Sequence, residues 1–424
     1  MLCMSKSDLS KFCALSLAFV MLSGADWPRF RGPNGSGVAE SQKVPEKWDD
    51  GQNVVWKKEL PGFGTSSPVV WKDSIFLSCY SGYGLDQKKP GNPDELKRHV
   101  LCLDRKTGEV AWQQEVTQQL PDRPYEGFQA LHGFASSTPT TDGQQVFFFF
   151  GKSGVCAYSL DGKLNWQVDV GNSTHNWGSA TSPVLYKDLV IINASVESGS
   201  LVALKKSDGS PAWKVPGMRS SWNTPVLVQA GDRDELVISI KGNLLAFHPE
   251  TGDELWTCKG IDDYVCPSVV AHEGVVYAIG GRSNTAVAVK AGGSGDVSKS
   301  HLLWSIDRGS NVSSPVVHNG HLYWVSEGRG VAYCANTTDG KMVYEQRLDP
   351  RPDRFYASPV VVDGKIFYMS RTTGCYVLAA EPQYKLLSHN KFSSDTSVFN
   401  ASPAIVNGQI FLRSDKFLYC IGAK

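Results

Sequence analysis

The chain has 424 residues, with 42 Lys plus Arg and 42 Asp plus Glu, so its formal net charge at pH 7 is zero. A chain without an overall field has nothing to attract nucleic acid or an anionic membrane surface, and we expect no nucleic-acid partner. Hydrophobic residues make up 41% of the chain, beside 41 Gly, 22 Pro and 12 Trp. This composition is typical of many short strands joined by tight turns, and it excludes extensive disorder.

Residues 1–25 have the pattern of an export signal. Lys6 and Lys11 precede an apolar run over 12–22, and small residues at 23–25 supply a cleavage site. We predict cleavage after this point, followed by an N-terminal extension over 26–52. No stretch reaches the ~20 apolar residues of a membrane span, and no cysteine stands at the cleavage site. The predicted mature protein is therefore periplasmic or secreted, without a transmembrane segment or a lipid anchor.

A short anchor motif recurs eight times between residues 66 and 404, at intervals of about 44 residues, and its proline is the common reference point. Such a period predicts an array of structural repeats. The first interval is longer because it contains two insertions, at 80–98 and 113–135. The eight anchors are Ser66-Ser67-Pro68, Ser137-Thr138-Pro139, Thr181-Ser182-Pro183, Asn223-Thr224-Pro225, Val265-Cys266-Pro267, Ser313-Ser314-Pro315, Ala357-Ser358-Pro359 and Ala401-Ser402-Pro403.

Each repeat reads as four strands in the same order. The anchor strand is followed by a turn such as Asn319-Gly320 or Asp363-Gly364, which is a hairpin signal because both central residues must reach positive φ. Two further strands follow, and a second Gly turn leads into a fourth strand. That strand carries an aromatic residue at a constant offset, so every ring faces the same way and packs one repeat on the next. We predict these docking aromatics to be Trp56, Trp112, Trp166, Trp213, Trp256, Trp304 and Tyr344.

Four-stranded units with two apolar faces must stack side by side, and eight of them close radially. The predicted fold is therefore all-β, an eight-bladed β-propeller of four-stranded antiparallel blades over 53–424. The last unit ends at its third strand. Residues 53–59 repeat the turn-to-Trp pattern ahead of the first anchor. We predict that this segment completes the last blade and closes the ring.

Eight cysteines remain after the predicted cleavage. Cys102, Cys334 and Cys420 stand where other repeats have alanine, which predicts small buried side chains. Cys258 and Cys266 are eight residues apart across one connector, and in an oxidising compartment they could form a disulfide or remain free thiols.

The Ala-x-x-x-Thr/Asp-Gly-x-x-x-Trp pattern resembles the tryptophan-docking repeat of the pyrroloquinoline-quinone (PQQ) propellers, over roughly residues 53–422. That repeat occurs in quinoprotein alcohol dehydrogenases and in BamB-like assembly proteins of the outer membrane. The resemblance implies the propeller fold more firmly than it implies an activity. The dehydrogenases typically carry adjacent cysteines near the quinone, and this sequence has no such pair.

Alternating strand direction places the fourth-to-first and second-to-third connectors on one face, here named the long-connector face, around the mouth of the central channel. Arg side chains there could bind carboxylates, and aromatic rings could stack on a planar ligand. Alternatively, the polar side chains are simply solvated loop residues and the aromatic side chains only fill the mouth of the channel. The candidate ligand-binding residues at the mouth are His132, His175, Trp177, Arg219, Trp222, Asp262, Asp263, Tyr264, Arg354, Tyr356 and Asp395.

Sequence motifs for zinc hydrolases, serine hydrolases, nucleotide-binding loops and haem attachment are absent from the chain. We therefore expect a non-catalytic binding or assembly scaffold, monomeric, that binds a protein partner of the envelope or cell surface and needs no cofactor or metal. One alternative is a PQQ-dependent dehydrogenase of alcohols or sugars, with the quinone and Ca²⁺ at the channel mouth. A second is a carbohydrate-binding surface module that uses the mouth aromatics as sugar platforms.

Overall fold

The computed structural model describes residues 26–423, so the predicted signal segment lies outside the described residues. In this part of the chain the strands form eight sheets, each built on four antiparallel strands. Seven blades run in chain order from an inner strand at the channel to an outer edge strand, and in the eighth the outer strand is the first strand that the structure describes. The fold prediction is confirmed.

The first four blades follow one another without a break. Blade 1 contains β2 (Val69–Trp71), β3 (Ser74–Ser81), β4 (Lys97–Asp104) and β5 (Val110–Glu115), after β1 (Val54–Glu59), which belongs to blade 8. Blade 2 contains β6 (Thr140–Thr141), β7 (Gln145–Phe149), β8 (Val155–Ser159) and β9 (Leu164–Val168). Blade 3 contains β10 (Val184–Tyr186), β11 (Leu189–Ala194), β12 (Ser200–Lys205) and β13 (Pro211–Pro216). Blade 4 contains β14 (Val226–Ala230), β15 (Arg233–Ile240), β16 (Asn243–Phe247) and β17 (Glu254–Lys259).

The remaining blades repeat this order, with one addition. Blade 5 contains β18 (Val270–His272), β19 (Val275–Gly280), β20 (Thr285–Lys290) and β22 (Leu302–Ile306), whereas β21 (Gly295–Asp296) pairs in parallel with β17 of blade 4. Blade 6 contains β23 (Val316–His318), β24 (His321–Val325), β25 (Val331–Asn336) and β26 (Met342–Arg347). Blade 7 contains β27 (Val360–Val362), β28 (Lys365–Met369), β29 (Cys375–Ala379) and β30 (Leu386–Asn390). Blade 8 contains β31 (Ala404–Val406), β32 (Gln409–Arg413), β33 (Phe417–Ile421) and β1.

The ring closes where the two ends of the propeller meet. β1 pairs antiparallel with β33, and Trp56 stands opposite Cys420. Trp56 then crosses to blade 1, where its indole Nε1 donates to the Arg105 carbonyl at 3.0 Å. Its ring also lies against Gly108, which has φ +74° and no room for a Cβ. The closing strand is confirmed.

A ring of hydrogen bonds joins the eight inner strands around the channel. In each blade one anchor residue donates its backbone N–H to the hydroxyl of the anchor in the next blade, at 2.9 to 3.1 Å. The last bond runs from Ser402 N to Ser67 Oγ at 3.0 Å, so the ring is continuous. We name these residues the hydroxyl ring: Ser67, Thr138, Ser182, Thr224, Ser268, Ser314, Ser358 and Ser402.

The hydroxyl ring corrects the sequence alignment in blade 5. Val270 stands opposite Tyr277 as Val69 stands opposite Phe76, so Ser268 is the anchor of blade 5. The prediction that aligned Pro267 with the other anchor prolines is wrong by two residues. Proline fits on either side of the anchor because the N–H that closes the ring is that of the anchor itself.

Most docking aromatics lie at blade interfaces in the same way as Trp56. The indole Nε1 groups of Trp112, Trp166, Trp213 and Trp304 each donate to a carbonyl of the next blade at 2.8 to 3.2 Å. Trp256 differs, because its Nε1 donates at 2.7 Å to Glu235 of its own blade. Tyr344 is partly buried and packs edge to face with Tyr384, with ring centroids 5.8 Å apart.

The residues opposite these aromatics are small. Trp112 faces Cys102, Tyr344 faces Cys334, and Trp166 faces Ala157. Among the described residues all eight cysteines are free thiols, and Cys258 and Cys266 therefore do not form a disulfide in this structure. Seven of the eight are buried, as expected for space-filling side chains, and Cys266 is partly exposed.

Residues 26–43 lie on the short-turn face of the disc, opposite the long connectors, and we name this segment the strap; the chain then continues along the outer strand β30 of blade 7, where Trp48 N donates to Asn390 Oδ1. The backbone of Trp27 exchanges two hydrogen bonds of 2.9 Å with Val70 of blade 1, and Pro28 O accepts from Thr141 of blade 2. Further along, Val361 of blade 7 bonds to Gly37 and Ala39 at 2.8 and 2.9 Å. Between these contacts, residues 29–31 and Gly35 lie beside the inner strands of blades 3, 4 and 5, so the strap spans the lower opening of the channel.

Candidate functional site

The connectors of the long-connector face surround a well of about 380 Å³ at the centre of the ring. Its lower end is lined by the hydroxyl ring and by Phe30 of the strap. The central channel is therefore closed at its lower end and open only at the long-connector face. A volume of this size is typical of sites for small molecules or for one or two amino-acid residues.

One half of the mouth is aromatic and is formed by the connectors that join blades 1 to 5. Trp177 is at the centre of this wall, with ring centroids 4.8 Å from Trp222, 4.4 Å from Tyr264 and 5.5 Å from Phe128. The Trp222 indole is fixed, since its Nε1 donates to the Gly178 carbonyl at 2.9 Å. Phe128 is 48% exposed, which leaves an apolar edge in water at the rim.

The other half of the mouth is polar and is formed by blades 5 to 8. Arg354 Nη1 lies 3.5 Å from Glu327 Oε1, and both side chains line the well. Arg371 lies over the Tyr356 ring at 4.6 Å and donates through Nε to Asn400 Oδ1 at 2.9 Å. Burial raises the pKa of Glu327, although the nearby Arg354 and Arg371 charges oppose that shift.

Two histidines support the aromatic wall as neutral imidazoles. His132 Nε2 is 2.7 Å from the Trp177 carbonyl, which can only accept, so the proton is on Nε2. Burial lowers the pKa of His132, and the Arg371 charge lowers it further. Burial and Arg123 likewise lower the pKa of His175, whose ring packs 4.8 Å from Trp222. Both imidazoles are therefore uncharged at neutral pH and hold the indoles in place.

The structure brings together only part of the set of residues proposed from sequence. Those that line the well are His132, Trp177, Trp222, Tyr264, Arg354 and Tyr356. His175, Arg219 and Asp262 are exposed and lie outside the well, although the His175 ring contacts both Trp177 and Trp222.

The other two acids have structural partners. Asp263 accepts from the backbone N–H groups of Tyr264 and Arg282 at 2.8 and 2.7 Å. Asp395 is buried and accepts from Ser397 and from the Tyr419 hydroxyl. Their oxygen atoms are used to fix connectors rather than to face the cavity.

Several residues of the well were not among the candidates. Arg282 and Glu327 follow the second strands of blades 5 and 6, and Asn311 lies in the connector to blade 6. The signal for Arg282 and Glu327 is their place just after β19 and β24, since those connectors also reach over the mouth. Phe30 could not have been found from repeat spacing, because the strap lies outside the repeats.

The residues of the well do not fit a calcium ion with a quinone. Calcium takes 6 to 8 oxygen ligands, usually from several carboxylates, and the well offers the carboxylate of Glu327 alone. Over residues 26–423 no group of three or more His, Cys, Asp or Glu is arranged to hold a metal ion. Cys266 is the single thiol of the well, and burial raises its pKa to about 12.

Structural comparisons give the same architecture in both of the classes that the sequence resembles. BamB from Moraxella catarrhalis superposes with a TM-score of 0.62 at 15% identity, covering 88% of this chain and 97% of that one. Quinohemoprotein alcohol dehydrogenase from Comamonas testosteroni gives 0.65 at 10% identity, covering 94% and 81%. A europium-containing methanol dehydrogenase gives 0.64 at 10% identity, covering 94% and 98%. At these identities the likeness is one of fold.

The family comparison is more specific than the structural one. None of the curated proteins matches the sequence. Among the described residues no helix is long and apolar enough to cross a membrane. The family model described as outer membrane protein assembly factor BamB matches residues 49–292 and 241–415, which together cover most of the chain. The chain therefore belongs to the BamB family of PQQ-like propellers.

Proposed function

We propose that this protein is a non-catalytic scaffold of the cell envelope that binds a partner protein at the mouth of its central well. The observation that carries the proposal is the division of the mouth into an aromatic half around Trp177 and a polar half around Arg354. Aromatic residues and arginine dominate the energetics of protein interfaces, and both stand here at one concave site.

The chemistry of the well favours binding over catalysis. Its histidine, His132, is held neutral against the Trp177 carbonyl, and its one thiol has a pKa of about 12. Its one carboxylate is paired with Arg354. General acid and base catalysis needs a group in reach of substrate with a pKa near the working pH, and nucleophilic catalysis needs an activated nucleophile.

The proposed compartment is the periplasm or the cell exterior. It rests on the sequence of residues 1–25 and on the membership of the BamB family. A partner in the envelope is consistent with the charge balance of the chain, which supplies no general attraction for polyanions.

Affinity capture from envelope extract tests the proposal. The tagged protein would be compared with Trp177→Ala and Arg354→Gln, two changes at the rim of the well. Arg219→Gln is the matched control, because Arg219 is exposed on the same face but lies outside the well. We expect both rim variants to lose at least ~90% of the captured partner, as hot-spot residues do, while the control retains it. Equal capture by all four proteins would contradict the proposal.

A further inference from the structure

We propose that the well accepts the C-terminal end of a partner polypeptide, with its terminal carboxylate on the hydroxyl ring and an apolar or aromatic terminal side chain against Trp177. The inference rests on the proposed function and names the part of the partner that enters the site. Four features of the well lead to it: the donors at its floor, the buried arginine beneath them, its closed lower end and its divided wall.

The floor of the well is formed by hydroxyl groups whose O–H donors have no acceptor partner in the described part of the chain. Each hydroxyl of the ring accepts the N–H of the preceding blade, and over residues 26–423 none of the eight donates a hydrogen bond. A serine or threonine hydroxyl can donate one hydrogen bond while it accepts others. Eight O–H groups around one axis therefore present an acceptor-binding floor.

A buried arginine beneath the floor also favours an anionic ligand. Arg31 of the strap is 1% exposed, and its Nε and Nη1 atoms have no partner among the described residues. It lines a small void that shares Phe30, Thr224 and Ser268 with the well. Its Nη2 atom donates to the backbone carbonyls of Ser36 and Pro315, and Arg31 takes part in none of the ion pairs found among residues 26–423. An anion placed on the floor would be attracted by this unpaired charge.

The strap decides which part of a chain can reach the floor. Because the strap covers the lower opening, a polypeptide cannot thread through the ring and can enter only as a side chain or as a chain end. A chain end that carries a carboxylate supplies two acceptor oxygens to a floor of donors, which is the chemistry of terminal-carboxylate capture.

The walls favour an apolar last residue. Trp177, Trp222 and Tyr264 form one continuous aromatic surface beside the floor, with centroids 4.4 to 6.4 Å apart. Glu327 is the acidic side chain of the well, and its contact with Arg354 places it on the polar wall. The anionic group is therefore expected on the floor, away from Glu327, with the terminal side chain on the opposite wall.

Titration of a matched peptide pair tests the inference. The probes are an acetylated five-residue peptide that ends in Phe with a free carboxylate, and the same peptide with a C-terminal amide. We expect the carboxylate to bind roughly 10- to 100-fold more tightly, as charge-assisted hydrogen bonds predict. Thr224→Val removes one floor hydroxyl and should reduce this ratio, whereas Arg219→Gln should leave it unchanged. Because the readout is a ratio of affinities, partial unfolding of Thr224→Val does not imitate the effect.

The outcomes separate this inference from the proposed function. Equal affinity for carboxylate and amide overturns the role of the floor. If neither peptide binds while Trp177→Ala still abolishes capture of the partner, the terminal-carboxylate inference is wrong and the proposed function survives. If 3-phenylpropionate binds as tightly as the peptide, the occupant is a free aromatic acid, and the assignment to a polypeptide is overturned.

Discussion

Two blade interfaces have a tryptophan at the same position of the fourth strand but differ in its hydrogen-bond acceptor and in the segment that covers its ring. At the closing interface Trp56 faces Cys420, reaches across to the Arg105 carbonyl and covers Gly108 of blade 1. At the interface of blades 4 and 5, Trp256 faces Ala246 but donates back to Glu235. The 291–300 insertion occupies the place of the docking turn, and β21 pairs with β17 beside Trp256.

The comparison shows that the repeat fixes the position of the ring but not its partner. Trp256 is fully buried because the insertion covers it, whereas Trp56 remains partly exposed. Glu235 is fully buried as well, and it joins the Trp256 indole, Gly292 N and the Arg233 guanidinium. At this interface the acceptor of the indole N–H is a buried carboxylate of its own blade, where the closing interface uses a carbonyl of the next blade.

Truncation of Trp256 has the largest expected effect. Trp256→Ala should lower the free energy of unfolding by about 3–5 kcal/mol, since it empties a fully buried site. Trp56→Ala should lower the free energy of unfolding by less than Trp256→Ala does, because the Trp56 side chain is partly exposed to solvent. Urea unfolding of both variants measures the difference. Equal losses would mean that the insertion adds no burial to the interface.

Removal of the Glu235 carboxylate comes next. Glu235→Ala leaves the Trp256 indole and Gly292 N without their acceptor, and we expect a loss of about 2–3 kcal/mol. The control is Glu109→Ala, which breaks an exposed ion pair with Lys58 across the closing interface and should cost less than about 1 kcal/mol. The same urea measurement applies. A larger loss for Glu109→Ala would reverse our ranking of the two interfaces.

A methyl group at the docking turn has a smaller effect. Gly108→Ala places a Cβ 2.7 Å from the Trp56 ring and at φ +74°, so steric clash adds to backbone strain. Gly364→Ala is the matched control, because it has φ +67° with nothing within 4 Å. We expect the free energy of unfolding to fall by about 2 kcal/mol in Gly108→Ala and by about 1 kcal/mol in Gly364→Ala, measured by thermal unfolding. Both variants place an alanine in a left-handed conformation, and only the first adds a steric clash. Identical losses would remove Trp56 from the docking contact.

Thiol labelling distinguishes the inside of the blade 4–5 interface from the well without any cost in stability. Cys258 is fully buried in β17, whereas Cys266 lines the well with a pKa of about 12. Only the thiolate reacts, so native alkylation of Cys266 should be slow at pH 7 and rise roughly tenfold per pH unit up to pH 10. Mass spectrometry locates the label. Reaction at Cys258 on the same timescale would show that the interface opens.

The regular parts of the fold could be predicted from the sequence because each repeat carries the same local information. Spacing identified eight blades, and an orphan turn-to-Trp segment identified the closing strand β1. Trp256 was predicted to dock like the others, since nothing in the local pattern reveals that Glu235 accepts the hydrogen bond of its indole. Pro267 misled the alignment because proline is compatible with both neighbours of the anchor.

The site was harder to predict because it is made of contacts between distant segments. The fourth-to-first connectors indicated Trp177, Trp222, Tyr264 and Tyr356, whose position at the mouth follows from strand direction. The strap depends on pairing with Val70 and Val361, which no repeat pattern encodes. Whether these residues bind a ligand remains a prediction.

Hydrogen exchange of the protein with its captured partner tests most directly whether the mouth of the well is the binding site. We predict slower amide exchange in the connectors over 174–180, 219–224, 261–266 and 351–358, which surround the well, with little change in the outer strands such as β5 and β13. Protection confined to those outer strands or to the strap would place the partner elsewhere and contradict binding at the mouth of the well.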